Sequence, residues 1–186
     1  MGAKRTPRTK PGEERRSDLL DAAERVVVER GVDGLTIDDV TAGAGVAKGT
    51  FYLHFGSKDA LIAALRERCV ERVLRRQRDA AADAESGARV ERWVLAGLDG
   101  YLDDAALVDV LFHAAGPGAV TTPEGAVRQL SRLIAEADPD APDPRATAIV
   151  LYHALHGVAD HLLGEPDDGE RLRAELVRLC RALAGP

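Results

Sequence analysis

Residues 35–61 read "LTIDDVTAGAGVAKGTFYLHFGSKDAL", and the second half of that stretch decides the fold. About one residue in six of the chain is Asp or Glu, yet from Val40 through Lys58 there is no carboxylate. The window holds two Phe, a Tyr, a His and two Lys instead. Its periodicity is helical and broken at short intervals. Thr36 with Asp39 three residues on makes an approximate capping box, Asp replacing the usual Glu or Gln, and opens a helix over 36–43. Gly45 supplies a tight turn, Val46 returns to the core, and a third helix runs 47–54. Upstream, Leu19, Ala22, Ala23, Val26 and Val27 form one stripe of a helix from Glu14 to Arg30, which Gly31 is placed to end in a left-handed cap. Downstream, Ser57 caps a long helix with the stripe Leu61, Leu65, Cys69 and Val73. Two short helices joined by a glycine turn, after a longer first one, describe a helix-turn-helix.

That geometry gives the missing carboxylates a reason. A helix lying in the major groove of DNA must be kept clear of acids, because phosphates repel them. Lys48 and Lys58 offer cationic donors, and Thr50, Tyr52 and His54 offer neutral polar ones. Gly49 lets the backbone approach a phosphate closely. Lys58 stands at a helix start, where the dipole end is positive. Phe51 and Phe55, four apart, face inward as core.

The stretch resembles the helix-turn-helix signature of the tetracycline-repressor family of bacterial transcriptional regulators. The resemblance covers about residues 14–65 and is carried by Thr36, Gly45-Val46, Lys48-Gly49-Thr50, Tyr52, His54-Phe55 and Ser57-Lys58. It implies an all-α fold, with an amino-terminal three-helix helix-turn-helix head on a larger helical body that binds an effector and dimerises. The implied partners are double-stranded operator DNA, a second copy of the chain and a small-molecule effector. The DNA-binding residues it implies are Thr36, Ala47, Lys48, Gly49, Thr50, Tyr52, His54 and Lys58, chiefly toward phosphates. Positions 47, 48, 50 and 53 are the ones placed to meet base edges. Three residues depart from the pattern. Ala47 stands where a Ser often caps the recognition helix, a loss on the order of 1 kcal/mol. Asp38 stands where many relatives carry Arg, and Gly43 weakens the end of the second helix by roughly 1 kcal/mol. Together they predict modest intrinsic DNA affinity.

The remainder of the composition fits a regulator of this kind. The chain has 186 residues, 45% apolar and 30% charged, with a net charge of −6, which reads as a largely helical soluble protein. No apolar run is long enough to cross a membrane or to follow the basic start as a secretory signal, so a cytoplasmic location is expected. Cys69 and Cys180 do not suggest a disulfide framework. Residues 1–16 carry six bases against two acids. Residues 1–13 therefore read as a basic flexible arm. Lys4, Arg5, Arg8, Lys10, Arg15 and Arg16 are the bases able to reach the minor groove or flanking phosphates, unless they form a merely solvated tail. The domain reading is an arm over 1–13, a head over 14–57 and an effector-binding and dimerisation body over 58–186.

The body reads as helix throughout. "DAAADAESGA" is a break, followed by one helix lined by Val90, Trp93, Val94, Gly97, Leu98 and Tyr101. A second carries Leu107, Val108, Leu111 and Phe112. "AGPG" at 115–118 interrupts, and Thr122-Pro123 opens the next helix as cap and first-turn proline. Val127, Leu130, Leu133, Ile134 and Ala137 lie inside that helix. "DPDAPDP" connects it to two last helices, about 144–163 and 168–184. Leu151, Leu155, Val158 and Leu162 step by four, three and four, as do Leu172, Leu176, Leu179 and Leu183. These heptad-like seams are the expected dimer interface, the alternative being that they pack within one chain. His153, His156 and Asp160 share the opposite face, as a ligand contact, a proton-sensitive dimer contact, a metal site or plain packing. Metal is disfavoured because only His156 and Asp160 have ligand spacing. Trp93, Tyr101, Phe112, His113, Tyr152 and His156 are the candidate effector pocket, against a plain aromatic core. No Ser/His/Asp set, zinc spacing or phosphate loop is present, so neither an enzyme nor a cofactor is expected. The expected function is a repressor released from its operator by an effector. A second reading, favoured by Asp38 and Ala47, is a protein-binding adaptor of the same fold that does not bind DNA specifically.

Overall fold

A computed structural model describes residues 11–113 and 123–184, the side chain of His113 excepted, and its regular elements there are all helical. Helix α1 (Gly12–Gly34) begins two residues ahead of the expected start, with Glu13 and Glu14 in its first turn, where acids suit the positive dipole end. The predicted arm is therefore shorter at its inner end, and residues 1–10 lie outside the described residues. Leu19, Leu20, Ala22, Ala23 and Val27 are buried and Val26 is half-buried. Gly31 takes the positive φ expected of it (75°), but its ψ of 171° is extended. The result is a kink after which one more turn runs to Gly34, rather than a left-handed cap.

Thr36 begins α2 (Ile37–Ala44), and its Oγ1 accepts the Asp39 N–H at 3.1 Å. The Thr36 hydroxyl in turn donates to the Asp39 carboxylate at 2.6 Å. In the usual box a longer Glu reaches back to the cap residue's N–H; the shorter Asp meets the hydroxyl instead. Gly45 closes α2 in the left-handed region (φ 66°, ψ 33°), and α3 (Lys48–His54) follows. A Cβ on Gly43 would meet the Ala22 Cβ at 3.2 Å, so this glycine brings α2 close to α1. Ser57 Oγ accepts the Ala60 N–H at 3.1 Å and opens α4 (Lys58–Ala82). Packing divides the chain after Glu67, so the first turns of α4 belong with the head, ten residues beyond the expected boundary. Leu61, Leu65 and Cys69 are buried as expected, but Val73 is only half-buried. Each step of four along a helix advances the side chain about 40°, so three steps carry Val73 well round from Leu61. Leu74, Gln77 and Ala81 supply the buried positions in its place.

In the second unit a single 3₁₀ turn, Ser86–Ala88, precedes α5 (Arg89–Asp103). Then come α6 (Ala105–Val108) with a π turn at Asp109–His113, α7 (Glu124–Ala137), α8 (Pro144–Gly164) and α9 (Gly169–Ala184). The predicted stripe of α5 is buried at all six positions, and Leu107, Val108 and Leu111 join it, while Phe112 is half-buried. Pro123 is the cap residue of α7, with a non-helical ψ of 119°, and not part of its first turn. Thr122 and "AGPG" at 115–118 fall outside the described residues. The cap-and-proline start belongs to α8, where Asp143 Oδ1 accepts the Ala146 N–H at 2.9 Å ahead of Pro144.

Helix α8 packs against α5, α7 and α9, and half of the expected dimer seam is buried within the chain. Leu151, Leu155 and Leu162 of α8 and Leu176 of α9 are at most 5% exposed within the single chain. Val158, Leu172 and Leu179 are half-buried, and only Leu183 of the eight is exposed. A three-four spacing marks a buried helix face without saying whose helix covers it, and here the chain covers its own. The apolar residues that α8 and α9 leave open are Val150, Leu163 and Leu183. Ion pairs brace the same helices. Arg145 chelates Glu124 of α7 through two bonds of 2.9 and 3.0 Å, and Arg181 holds Glu91 of α5 at 2.7 and 3.2 Å. On α4, Arg72 and Arg76 reach Asp104 and Asp103 at the end of α5. Neither Cys69 nor Cys180 is in a disulfide, and burial, then Glu91, pushes the Cys180 thiol up to about 12. No described helix is long and apolar enough to cross a membrane.

Gln77 is a buried amide on α4 whose Nε2 donates to the Trp93 carbonyl at 3.3 Å. A Cβ on Gly97 would stand 2.2 Å from that nitrogen and 3.2 Å from Leu155 Cδ2. Gly97→Ala is therefore expected to destabilise the protein by about 1–3 kcal/mol, read as a lower denaturation midpoint. Adding Gln77→Ala should recover part of the loss. Equal midpoints for Gly97→Ala and the unmodified chain would refute the packing account.

Candidate nucleic-acid interface

Seven residues make too short a helix to persist alone in water, so α3 stands by what it buries. Phe51 is fully buried and Phe55 is 3% exposed, their ring centroids 5.7 Å apart. Tyr52 sets its ring edge-on to Phe51 at 5.3 Å, and the Arg16 guanidinium lies over Phe55 at 5.1 Å. Arg16 thus belongs to α1, exposed but with its guanidinium set over that ring. At 100° per residue, an inward Phe51 puts Gly49 and Leu53 on the outermost line of α3. Lys48 and Tyr52 then flank that line on one side, and Thr50 and His54 on the other.

The predicted contact residues fall on this surface with different degrees of freedom. Ala47 is exposed and makes no side-chain cap, as its sequence requires. Gly49 is exposed, and a Cβ there would meet nothing within 4 Å. Tyr52 is 53% exposed, and Thr50 and His54 are half-buried. Lys58 donates to the Asp33 carbonyl at 3.3 Å, which fixes its ammonium beside the start of α4 while leaving two of its three donors for another acceptor. Thr36 is exposed, but its hydroxyl is committed to Asp39. That bond, with Arg30 3.4 Å from the carboxylate, holds Asp39 below the usual carboxylate range. Lys48 is committed as well: its Nζ lies 2.7 Å from Asp38 Oδ1, and the carboxylate raises the ammonium's pKa. Leu53, one of the positions expected to meet base edges, is 82% exposed. Its signal is the helical period, which places it opposite Phe51.

The structure brings three of the six candidates for an effector pocket together. Tyr101, Tyr152 and His156 come together, with His156 4.2 Å from the Tyr152 ring and 5.3 Å from that of Tyr101. The Tyr101 hydroxyl donates to Asp160 at 2.5 Å, and burial, then that carboxylate, drives the phenol pKa upward. Burial does the same to Tyr152. The His156 Nδ1–H donates to the Tyr152 carbonyl at 3.0 Å, and His153 is exposed. This cluster is therefore internally bonded packing, and among the described residues no three His, Cys, Asp or Glu gather as a metal-ligand set. His161 faces Asp168 at 2.9 Å instead. Trp93 is buried elsewhere, its Nε1–H donating to Gln129 Oε1 at 3.3 Å. It lines a groove of about 1160 Å³ with residues of α4, α7 and the start of α8. Phe112 is half-buried on the π turn, and the side chain of His113 is outside the described residues.

Comparison with known proteins bears on both units. The model of tetR-family bacterial regulatory proteins matches residues 19–65, and that of the tetracyclin repressor-like C-terminal domain matches residues 87–183. An uncharacterized HTH-type transcriptional regulator of Bacillus subtilis, YvdT, is 46% identical over 56 residues, 30% of this chain. The match spans only 29% of that relative's length. A TetR-like transcriptional regulator from Rhodococcus sp. RHA1 is 26% identical with a TM-score of 0.65, covering 96% of this chain and 100% of that one. A TetR-family regulator from Pectobacterium atrosepticum is 28% identical with a TM-score of 0.67, covering 94% and 96%. With a short helix presented from its head and a family model matched over more than half its length, the chain belongs to the tetR family of bacterial regulatory proteins.

Proposed function

We propose that the chain is a homodimeric DNA-binding transcriptional regulator, a repressor that leaves its operator when a small molecule binds its body. The observation that carries this reading is α3, anchored by two buried phenyl rings and turning Lys48, Gly49 and Tyr52 outward with no carboxylate of its own. Tyr52, Thr50, His54 and Lys58 serve as phosphate contacts, and the outer line of α3 meets the bases. A helix this short spans few base pairs, so two heads reading two half-sites together supply the affinity that one lacks. The apolar residues left open on α8 and α9 suit a second copy of the chain. A dimer seated on promoter DNA excludes other proteins from the same bases, which favours repression.

For the effector, the groove beside Trp93 is the better candidate than the bonded aromatic cluster. It is lined by the apolar Leu74, Trp93 and Leu133 and by paired charges, Arg89 and Arg132 both reaching Glu136. Its volume is of the order that drug-sized ligands occupy. Helix α4 lines it and runs unbroken from Lys58 to Ala82, so a ligand that prefers one setting of α4 would shift the population of DNA-competent heads.

Asp38 favours the adaptor reading, since it places a carboxylate beside the helix meant for DNA. A salt series of duplex binding separates the two: a DNA reader loses affinity steeply as salt rises. Lys58→Ala should lower the slope of log affinity against log salt by about 0.9 for each phosphate that the lysine neutralises. Tyr52→Ala should weaken binding, and both variants should still elute as dimers in sizing chromatography. Unchanged affinity in both would contradict the assignment.

Asp38 yields a prediction of opposite sign. Removing its charge releases Lys48 and relieves repulsion of nearby phosphates. Asp38→Asn should therefore bind duplex roughly threefold tighter per head at low salt, with a steeper salt dependence. Weaker binding by this variant would show instead that Asp38 positions Lys48 for its contact.

A further inference from the structure

We propose that Leu53 reads the 5-methyl group of a thymine in each operator half-site. The inference rests on the DNA-binding reading above and names the base chemistry that reading uses. Leu53 is 82% exposed, the most exposed of the large apolar residues described, and lies next to Tyr52 at 53%. A lone surface leucine is ordinary in itself; its place on α3 is what gives it meaning. It projects opposite the buried Phe51, in line with Gly49 one turn earlier. Gly49 has no Cβ and open space around it, so the helix can sink toward a groove floor there. Leu53 then becomes the side chain that reaches deepest. Lys48 and Tyr52 on one flank, and Thr50 and His54 on the other, point toward the walls of the groove, where the phosphates run.

A leucine at that depth has neither donor nor acceptor, so it makes no hydrogen bond to a base edge. The apolar group that the major groove offers is the thymine methyl. Against cytosine the same leucine would cover the N4 amino donor without pairing it, an unfavourable exchange. Leu53 therefore selects thymine by attraction and disfavours cytosine by desolvation. Thr50 also carries a methyl group, but Thr50 is half-buried, and Leu53 is the fully apolar side chain on the outer line of α3.

The test begins by selecting bound duplexes from a random pool with the full chain. Each thymine of the selected half-site is then replaced singly by deoxyuridine, which deletes only the methyl group. One position per half-site should weaken binding about fourfold, the transfer value of one buried methyl. Leu53→Ala should bind the thymine and deoxyuridine duplexes equally well, and with Leu53 so exposed its helical content by circular dichroism should be unchanged. If the unmodified chain binds with a steep salt dependence yet ignores every deoxyuridine, Leu53 does not read a methyl, while the DNA-binding function stands. If no duplex is selected at any salt, that function fails and takes this inference with it. A change of oligomeric state in Leu53→Ala would mean that the leucine meets protein, and would also overturn the proposal.

Discussion

The contact on which the reading surface depends is the burial of Phe51 and Phe55 in the head. A seven-residue helix has too few backbone hydrogen bonds to offset its nucleation cost, and α3 has no side-chain cap at Ala47 to help it. Two aromatic rings four residues apart supply what the backbone lacks, and Arg16 from α1 covers the second. The same burial fixes rotation. Once Phe51 points inward, the 100° step assigns every other residue of α3 to a wall or to the outer line. The polar and apolar groups offered to a ligand thus follow from what the rings bury.

Charge around this helix is set with less margin. The chain keeps acids out of residues 40–58, yet places Asp38 and Asp39 in the first turn of α2, where they suit that helix's own dipole. Asp39 is absorbed by Thr36 and Arg30, whereas Asp38 has Lys48. A carboxylate that favours helix formation in α2 is therefore the one that engages a cation of α3. Local helix stability and affinity for a polyanion pull in opposite directions at this residue, which favours recognition by two heads over tight binding by one.

In the body, the leucine seams and the aromatic candidates lie on the expected helices but meet other neighbours than their spacing suggests. Leu151, Leu155 and Leu162 are buried within the chain on a helix that packs against α5, α7 and α9, and the apolar residues left exposed on α8 and α9 are Val150, Leu163 and Leu183. Tyr101 and Asp160 are 59 residues apart in sequence and bond to each other, which ties a polar face of α8 to α5. Trp93 donates instead to Gln129 and lines the groove beside α4 and α7.

The sequence by itself determined the helices, the glycine turn at Gly45, the caps at Thr36 and Ser57, and the inward face of α3. Each of these is a local matter of backbone torsion, spacing and short-range hydrogen bonds. Even the errors at this level are small and local, such as the extended ψ of Gly31 and the cap role of Pro123. Only the tertiary structure decided which helix covers each apolar stripe, which acid holds each base, and where α4 passes from one core to the next. Those outcomes depend on side chains distant in sequence meeting at a few ångströms, and periodicity within one helix carries no information about the identity of its neighbour.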